Sequence, residues 1–517
     1  MIPVSATARH REIELKLELS AEDVERVRQH PRVRALASAD ERVEQLRSVY
    51  FDTPDLGLRR GGIALRVRHA GDARVQTLKT GEHASGVLSE RGEYDTPLDR
   101  DAPDPARISD PALRARVASL LAGRSLEPIF ETHMQRTTRP LREGDSVWTL
   151  DIDVGEIRTA TARAPICEIE LELVCGEAQR LYALALALGE SIPLRLGCQS
   201  KADRGYALAT GVQSAACPAV PVRLGGDTAL EDAIGPALRS GLDHVAANLA
   251  PVLSGAGAGS VRQLRAGLAR LGVGLASFAD LLPAAEIEPL REALDALAAE
   301  LDALRDLDVF AEVLHALPAG ERAGLAWLER AAYALRDARC DALRQTLRAP
   351  RCTRCLLVLG SWLESEPWRR APDRQRLREP VAQAGRSVLA QRHALAMHLG
   401  VPAAEGACGE ARALRSALAV LRESCEVLRG AYPAQDALRF LQQLETIEDA
   451  CGSLDDDARA RSVLRALLDR HGACATPEQA RSVARLTQWI GARAAQDALR
   501  LAEHGPRLAA LVPFWEA

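Results

Sequence analysis

From about residue 11 to Leu208 the chain alternates apolar and polar positions with period two, broken by Gly and Pro. Eight stretches carry the pattern: "EIELKLEL", "RVEQLRSVYFDT", "GIALRVRHA", "ARVQTLKT", "GVLSERGEYDT", "IFETHMQRTTRPL", "SVWTLDIDVGEI" and "PICEIELELV". Successive side chains of a strand point to opposite faces, so each stretch predicts a strand with one apolar and one polar face. Helices are predicted at "SAEDVERVRQH", with Ser20 as its N-cap, after Pro105, and at "GEAQRLYALALALGE". Eight strands with few helices predict one antiparallel sheet able to close on itself.

From about Asp227 the grammar changes. Long Ala/Leu/Arg segments such as "SVRQLRAGLARLGVGLASF" and "EPLREALDALAAELDALRDLDVFAEVLHAL" repeat apolar residues at three and four, the period of bundle helices. "VRQLRAGLARL" followed by "ALRDLDVF" has a weak echo in "ARALRSALAVL" followed by "LETIEDACGSLDD", which points to an internal duplication. "GVQSAACPAVPVRLGG" reads as a linker. The expected organisation is therefore 1–210 sheet domain, 211–226 linker and 227–517 helical domain, an α+β chain.

Composition narrows the partners. Hydrophobic residues at 47% and charged residues at 26% describe a globular chain, and a net charge of −5 gives no overall drive toward nucleic acid or an anionic membrane. No run of 18 apolar residues occurs, and "MIPVSATARHREIE" has no apolar leader core, so a cytoplasmic protein is expected. Eleven cysteines, an odd number scattered over the chain, predict reduced thiols; the single CxxC, Cys352 to Cys355, reads as helix packing ahead of metal binding. A homo-oligomer is compatible with all of this.

The polar faces of the strands carry the chemistry. Glu12, Glu14 and Lys16 share one face, as do Arg66 and Arg68, Arg91 and Glu93, Asp151 and Asp153, and Glu168, Glu170 and Glu172. A merely solvated face would mix in Thr, Ser and Gln. A closed barrel with these faces inward would have a charged lumen filled by water and ions, since unpaired buried charge is costly. Clustered carboxylates suit Mg²⁺ or Mn²⁺, and Lys and Arg suit phosphate oxygens, so the array reads as a polyphosphate site. Lysine usage agrees: only Lys16, Lys79 and Lys201 stand against 63 arginines, and each sits in a charged motif.

"EIELKLEL" contains the E-x-E-x-K signature and resembles the CYTH superfamily, the triphosphate tunnel metalloenzymes. "YFDTPD", "LRVR", "QTLK", "ERGEY", "LDIDVGEI", "CEIELEL" and "SKADRGY" continue the resemblance in order over about 210 residues. It implies an eight-stranded tunnel in which Glu12, Glu14, Asp151, Asp153, Glu168 and Glu170 bind Mg²⁺ or Mn²⁺. Lys16, Arg66, Arg68, Lys79, Arg91, Arg136, Lys201 and Arg204 would hold the phosphates. Glu12, Glu14, Lys16, Lys79, Glu168 and Glu170 are the implied catalytic set. Glu172 continues the acidic face and is left outside it. Arg139 is set aside because Pro140 follows it, Asp145 and Glu156 read as turn or surface acids, and His69, His83 and His133 as strand or loop histidines.

The helical half resembles a CHAD domain, best at "VRQLRAGLARL" and "LRDLDVF", and the CYTH–CHAD order resembles bacterial inorganic triphosphatases. This half departs from its family. The usual histidine positions hold Arg262 and Arg412, and usual basic positions hold Ala269, Gly272, Ala419 and Val420, while Arg265, Arg270, Arg415 and Arg422 remain. From Gly225 to the end, 35 arginines face 38 acids, so a scaffold or weak-anion role is expected. The implied activity is metal-dependent hydrolysis of inorganic triphosphate to pyrophosphate and phosphate. The alternatives are polyphosphate binding without hydrolysis, thiamine or nucleoside triphosphatase, and adenylate cyclase.

Overall fold

The structure is a computed structural model that describes residues 11–81, 86–212, 215–255, 257–402, 408–471 and 476–516. His83, the first ten residues read for a leader, and linker positions 213–214 lie outside the described residues.

All eight predicted strands form: β1 (Glu12–Glu18), β2 (Arg42–Asp52), β3 (Ile63–Ala70), β4 (Ala73–Thr80), β5 (Leu88–Leu98), β6 (Glu127–Glu143), β7 (Ser146–Arg158) and β8 (Arg163–Cys175). They run in the order β5-β4-β3-β2-β6-β7-β8-β1, and β1 pairs antiparallel back onto β5, which closes the barrel. A two-residue strand, β9 (Arg195–Leu196), continues along β1 where its pairing with β5 ends. Register fixes the inward face: Lys16 opposes Glu170, which opposes Asp151, and Arg136 opposes Asp153, which opposes Glu168.

The apolar set faces outward, under helices. Val49, Leu65, Val67 and Leu78 pack with Leu58 of α3 (Gly57–Arg60) and with Leu113 and Val117 of α4 (Pro111–Leu121). "SAEDVERVRQH" folds as a 3-10 turn followed by α1 (Val24–Gln29), with α2 (Pro31–Leu36) after it; Ser20 stands at the N-cap, but its hydroxyl bonds the Asp23 carboxylate at 2.7 Å and caps no backbone N–H. α5 (Gln179–Gly189) buries Leu181, Tyr182, Leu184 and Leu188. α6 (Lys201–Thr210) is the element the periodicity does not announce. It starts at a capping box of Ser200 and Asp203 and ends on Gly211 at φ +69°. Asp52 of the "YFDTPD" motif ties it down, accepting from Tyr206 Oη at 2.9 Å and from the backbone N–H groups of Thr53, Leu58 and Arg59 at 2.7 to 2.9 Å.

The remainder is helical: α7 (Leu230–Ser254), α8 (Ala258–Ser277), α9 (Ala284–His315), α10 (Ala319–Arg322), α11 (Ala326–Arg348), α12 (Pro350–Ser365), α13 (Arg374–Leu377), α14 (Val381–Leu399), α15 (Cys408–Leu428), α16 (Ala434–His471), α17 (Pro477–Ala502) and α18 (Gly505–Ala509). Two compact units result. One comprises Met1–Cys217, Leu242–Ser260 and Leu347–Ser365; the other Pro218–Gly241, Val261–Thr346 and Glu366–Ala517. α12 joins the barrel unit because it packs on α5, closely enough that a Cβ on Gly360 would fall 2.4 Å from Tyr182 Cε1. None of the helices among the described residues is long and apolar enough to cross a membrane.

In the helical unit, sequence alone does not place the arginines on one surface. The fold gathers Arg412 and Arg415 of α15 and Arg459 of α16 around Asp455, at 2.7 to 2.8 Å. Arg459 also contacts Asp306, Arg305 reaches Asp456 at 3.2 Å, and Arg265 lies 3.5 Å from Asp302. Burial pushes the Asp455 carboxyl up, but Arg459, Arg412 and Arg415 outweigh it and hold it at about 2. Asp455→Ala would remove the buried carboxylate that three guanidinium groups share, leaving Arg459 on Asp306 and Arg415 on Asp456. It is expected to cost about 3 kcal/mol of stability, read as a lowered unfolding midpoint; an unchanged midpoint would make this cluster a solvated surface array.

Candidate functional site: a charged tunnel

Every position named from sequence as a metal or phosphate ligand faces the tunnel. Lys16 Nζ lies 2.5 Å from Glu170, 3.4 Å from Glu168 and 3.8 Å from Glu14. Lys201, reaching in from the first turn of α6, lies 2.6 Å from Asp153, 2.6 Å from Glu168 and 2.9 Å from Glu170. Arg136 forks onto Asp153 at 2.6 and 2.7 Å, and bonds Asp151 at 2.7 Å and Glu170 at 2.6 Å. Arg204 donates to Glu168 at 3.0 Å. Lys79 bonds Glu12 at 2.7 Å and lies 3.2 Å from Glu93; Arg91 bonds Glu14 at 3.1 Å.

Direct ion pairs lace the lumen. Carboxylates and cations of facing strands stand within hydrogen-bond reach, so each neutralises the other where a buried lone charge would be costly.

Neutralisation is uneven. Burial pushes the Glu170 and Glu14 carboxyls up, but their cation neighbours, Lys16 first, outweigh it and leave both below the usual range. Asp153, with Lys201 and Arg136 outweighing burial, is held at about 2. Two acids go the other way. Burial, only partly offset by Lys79, raises Glu12 to about 7, and burial with Glu12 and Glu93 beside it raises Glu172 to about 8. Burial and neighbouring acids also raise Asp151 against the pull of Arg136.

Arg68 is the mirror case. Arg66, two residues earlier, lies 3.3 Å from Glu93 and 3.5 Å from the Tyr50 hydroxyl. Arg68 pairs in register with Ser48 and Val75; among the described residues no carboxylate forms a direct ion pair with it, Glu93 acting only as a partial electrostatic offset, and its Nε has no acceptor. Burial and the facing guanidinium groups of Arg66 and Arg136 lower it to about 10.

Positions set aside from sequence lie elsewhere. Arg139 bonds Glu41 at 2.5 Å, Glu156 pairs with Arg158, His133 with Glu131 at 2.7 Å, and His69 lies 3.9 Å from Asp101. Three contributors stand outside the ligand sets drawn from sequence. Glu93 and Glu172 showed their signal as continuations of acidic alternation; Thr138, which donates to Asp151 at 2.6 Å, is two residues from Arg136. Among the described residues, the grouping of three carboxylates with oxygens all within 4.8 Å is Asp153, Glu168 and Glu170; no such grouping includes Cys352 or Cys355.

The raised acids make a testable statement about pH. Between about 5 and 8 the folded protein keeps the Glu172 proton while the unfolded chain releases it, so in metal-free protein stability falls as pH rises through this window. Glu172→Gln mimics the protonated form and is expected to flatten the fall, raising the unfolding midpoint at pH 8 by a few degrees. A variant with the same pH slope as the parent would show that Glu172 titrates normally.

A closed antiparallel barrel whose inward face is an array of carboxylates, lysines and arginines defines the class: a charged β tunnel followed by a helical unit. Residues 10–206 match the CYTH domain and residues 236–465 the CHAD domain, and the chain belongs to the proteins that join the two in this order. It is 31% identical over 164 residues to the inorganic triphosphatase of Haemophilus influenzae, a match covering 32% of this chain and 46% of that protein, less than half its length. The crystal structure of the CHAD domain from the plant Ricinus communis is similar with a TM-score of 0.51 and 25% identity, over 58% of this chain and 98% of that one.

Proposed function

We propose that the tunnel hydrolyses inorganic triphosphate to pyrophosphate and phosphate with the help of Mg²⁺ or Mn²⁺. One observation carries the reading. On one side of the lumen Glu12 and Glu172 resist ionisation, because burial outweighs the pull of Lys79; on another Arg68 is buried beside Arg66 and Arg136, with Glu93 offsetting only part of this and no carboxylate paired directly to it. A site short of a cation at one point and of an anion at another is satisfied by a metal-bound polyphosphate and by neither component alone.

The carboxylates fit a hard divalent ion. The tightest grouping, Asp153, Glu168 and Glu170, is already centred on Lys201. Glu12 of β1 and Glu172 of β8 are the less neutralised acids and the better first site, with Glu14, opposite Glu172 in register, beside them and Asp151 next. Such an ion, when bound, supplies Lewis-acid charge to phosphoryl oxygens and a more acidic water. Arg68, Arg66 and Arg136 would bind phosphoryl oxygens. Lys16 and Lys201, already oriented by Glu168 and Glu170, would stabilise charge that develops on the leaving pyrophosphate. No side-chain nucleophile is required.

The CYTH domain and the resemblance to a triphosphatase support this chemistry. The helical unit is assigned a scaffold role, because Asp302, Asp306, Asp455 and Asp456 already neutralise its gathered arginines. The test is phosphate release by the purified full chain with Mg²⁺ or Mn²⁺ and with chelator. Metal-dependent turnover of inorganic triphosphate is expected. Preferential turnover of thiamine or nucleoside triphosphates, or cyclic AMP from ATP, would reassign the substrate, and metal-independent polyphosphate binding without turnover would make the tunnel a receptor.

A further inference from the structure

We propose that Cys198 and Cys352 are a modification site, joined by a peroxide into an intramolecular disulfide that staples the loop behind the tunnel to α12. The pair has no part in the hydrolytic chemistry, and its test does not depend on the substrate of the tunnel.

The loop spans residues 197–200, between β9 and α6, and it backs two lysines of the tunnel. Gly197 donates its N–H to the Lys16 carbonyl at 2.9 Å and lies against the Lys16 side chain, so closely that a Cβ there would fall 2.6 Å from Lys16 Cγ. Ser200 caps the helix whose first residue is Lys201. Cys198 stands between these two anchors, with its sulfur folded back to 3.8 Å from the Leu196 carbonyl oxygen. Leu196 in turn donates its N–H to the Thr353 hydroxyl at 3.2 Å, which pins the first turn of α12 beside β9. Thr353 follows Cys352 directly, so the two thiols flank one hydrogen-bonded junction inside a single compact unit. Their proximity also shows in the Cys198 thiol, which burial first, then Glu18 and Cys352, push up.

Both cysteines are reduced and half-buried, within reach of a small oxidant. The roles divide by environment. Cys198 is held as the thiol, a poor first nucleophile. Cys352 lies in the first turn of α12 between Arg351 and Arg354 in sequence, where backbone N–H groups and guanidinium charge favour a thiolate. The Cys352 thiolate takes one oxygen from hydrogen peroxide: the O–O bond breaks, an S–O bond forms, and hydroxide leaves to become water. The Cys198 sulfur then attacks the sulfenic sulfur; the S–S bond forms, the S–O bond breaks, and the Cys198 proton leaves with that oxygen as a second water. Two thiols are oxidised and one peroxide is reduced to two waters. The new bond closes a long loop of chain and fixes the segment that carries Gly197 and Ser200.

The reduced full-length protein, without metal, would be exposed to hydrogen peroxide, alkylated, digested without reductant and mapped by mass spectrometry. A linked pair of peptides carrying Cys198 and Cys352, lighter by two hydrogens than their sum, is expected. The unfolding midpoint should rise by several degrees, and dithiothreitol should abolish both changes. Cys198→Ser is expected to lose the link and the rise, and to leave Cys352 as a sulfenic acid that dimedone traps. Cys352→Ser should leave Cys198 fully alkylated after peroxide. A Cys352–Cys355 link, or Cys198 recovered alkylated from the peroxide-treated parent, would overturn the proposal. A Cys198–Cys352 link with no rise in midpoint would overturn the staple.

Discussion

Lys16→Ala is expected to lower triphosphate turnover about a hundredfold, the roughly 3 kcal/mol typical of one positioned contact to developing phosphate charge. It is also expected to destabilise the metal-free protein, which a lysine in an open, water-filled lumen would not do. Lys16 is buried against Glu170, Glu168 and Glu14, and those acids outweigh burial to keep its ammonium firmly charged. Removing one partner of a buried pair leaves carboxylates uncompensated, at a cost of about 3 kcal/mol. Divalent metal should restore part of that loss, because it supplies the missing positive charge. Full turnover with an unchanged unfolding midpoint would return Lys16 to an idle position.

Arg68→Ala separates binding from stability. The guanidinium is in no direct ion pair, and burial and the repulsion of Arg66 and Arg136 outweigh the attraction of Glu93. The variant should therefore fold as stably as the parent, or slightly more so, while losing about a hundredfold in kcat/KM. The opposite pattern, retained turnover with lost stability, would make Arg68 a structural residue. Comparing it with Lys16→Ala is informative because the two cations face the same lumen and differ in whether the protein already neutralises them.

That difference was not legible in the sequence. Arg66 and Arg68 sit in one "LRVR" motif, on one face, and read alike; only the register places Glu93 and Tyr50 beside the first and Ser48 and Val75 beside the second. The strands themselves were legible, because acids and bases spaced by two cannot be reconciled with a helix or a loop. α6 was not, because ten residues opened by a capping box carry little periodic signal, although "SKADRGY" marked Lys201 and Arg204 as chemistry. In the helical unit, the arginines could be counted but their common partner, Asp455, lies some forty positions from Arg412 and Arg415 and becomes visible only when α15 and α16 pack.

The central claim is that the tunnel lacks one cation near Glu12 and Glu172 and one anion near Arg68. A crystal structure with Mn²⁺ and a non-hydrolysable triphosphate analogue tests it most directly. The expected result places manganese on carboxylate oxygens of β1 and β8, Glu12, Glu14 and Glu172 among them, with phosphoryl oxygens on Arg68. An analogue bound on the arginines of the helical unit, with the tunnel ion pairs unchanged, would contradict it.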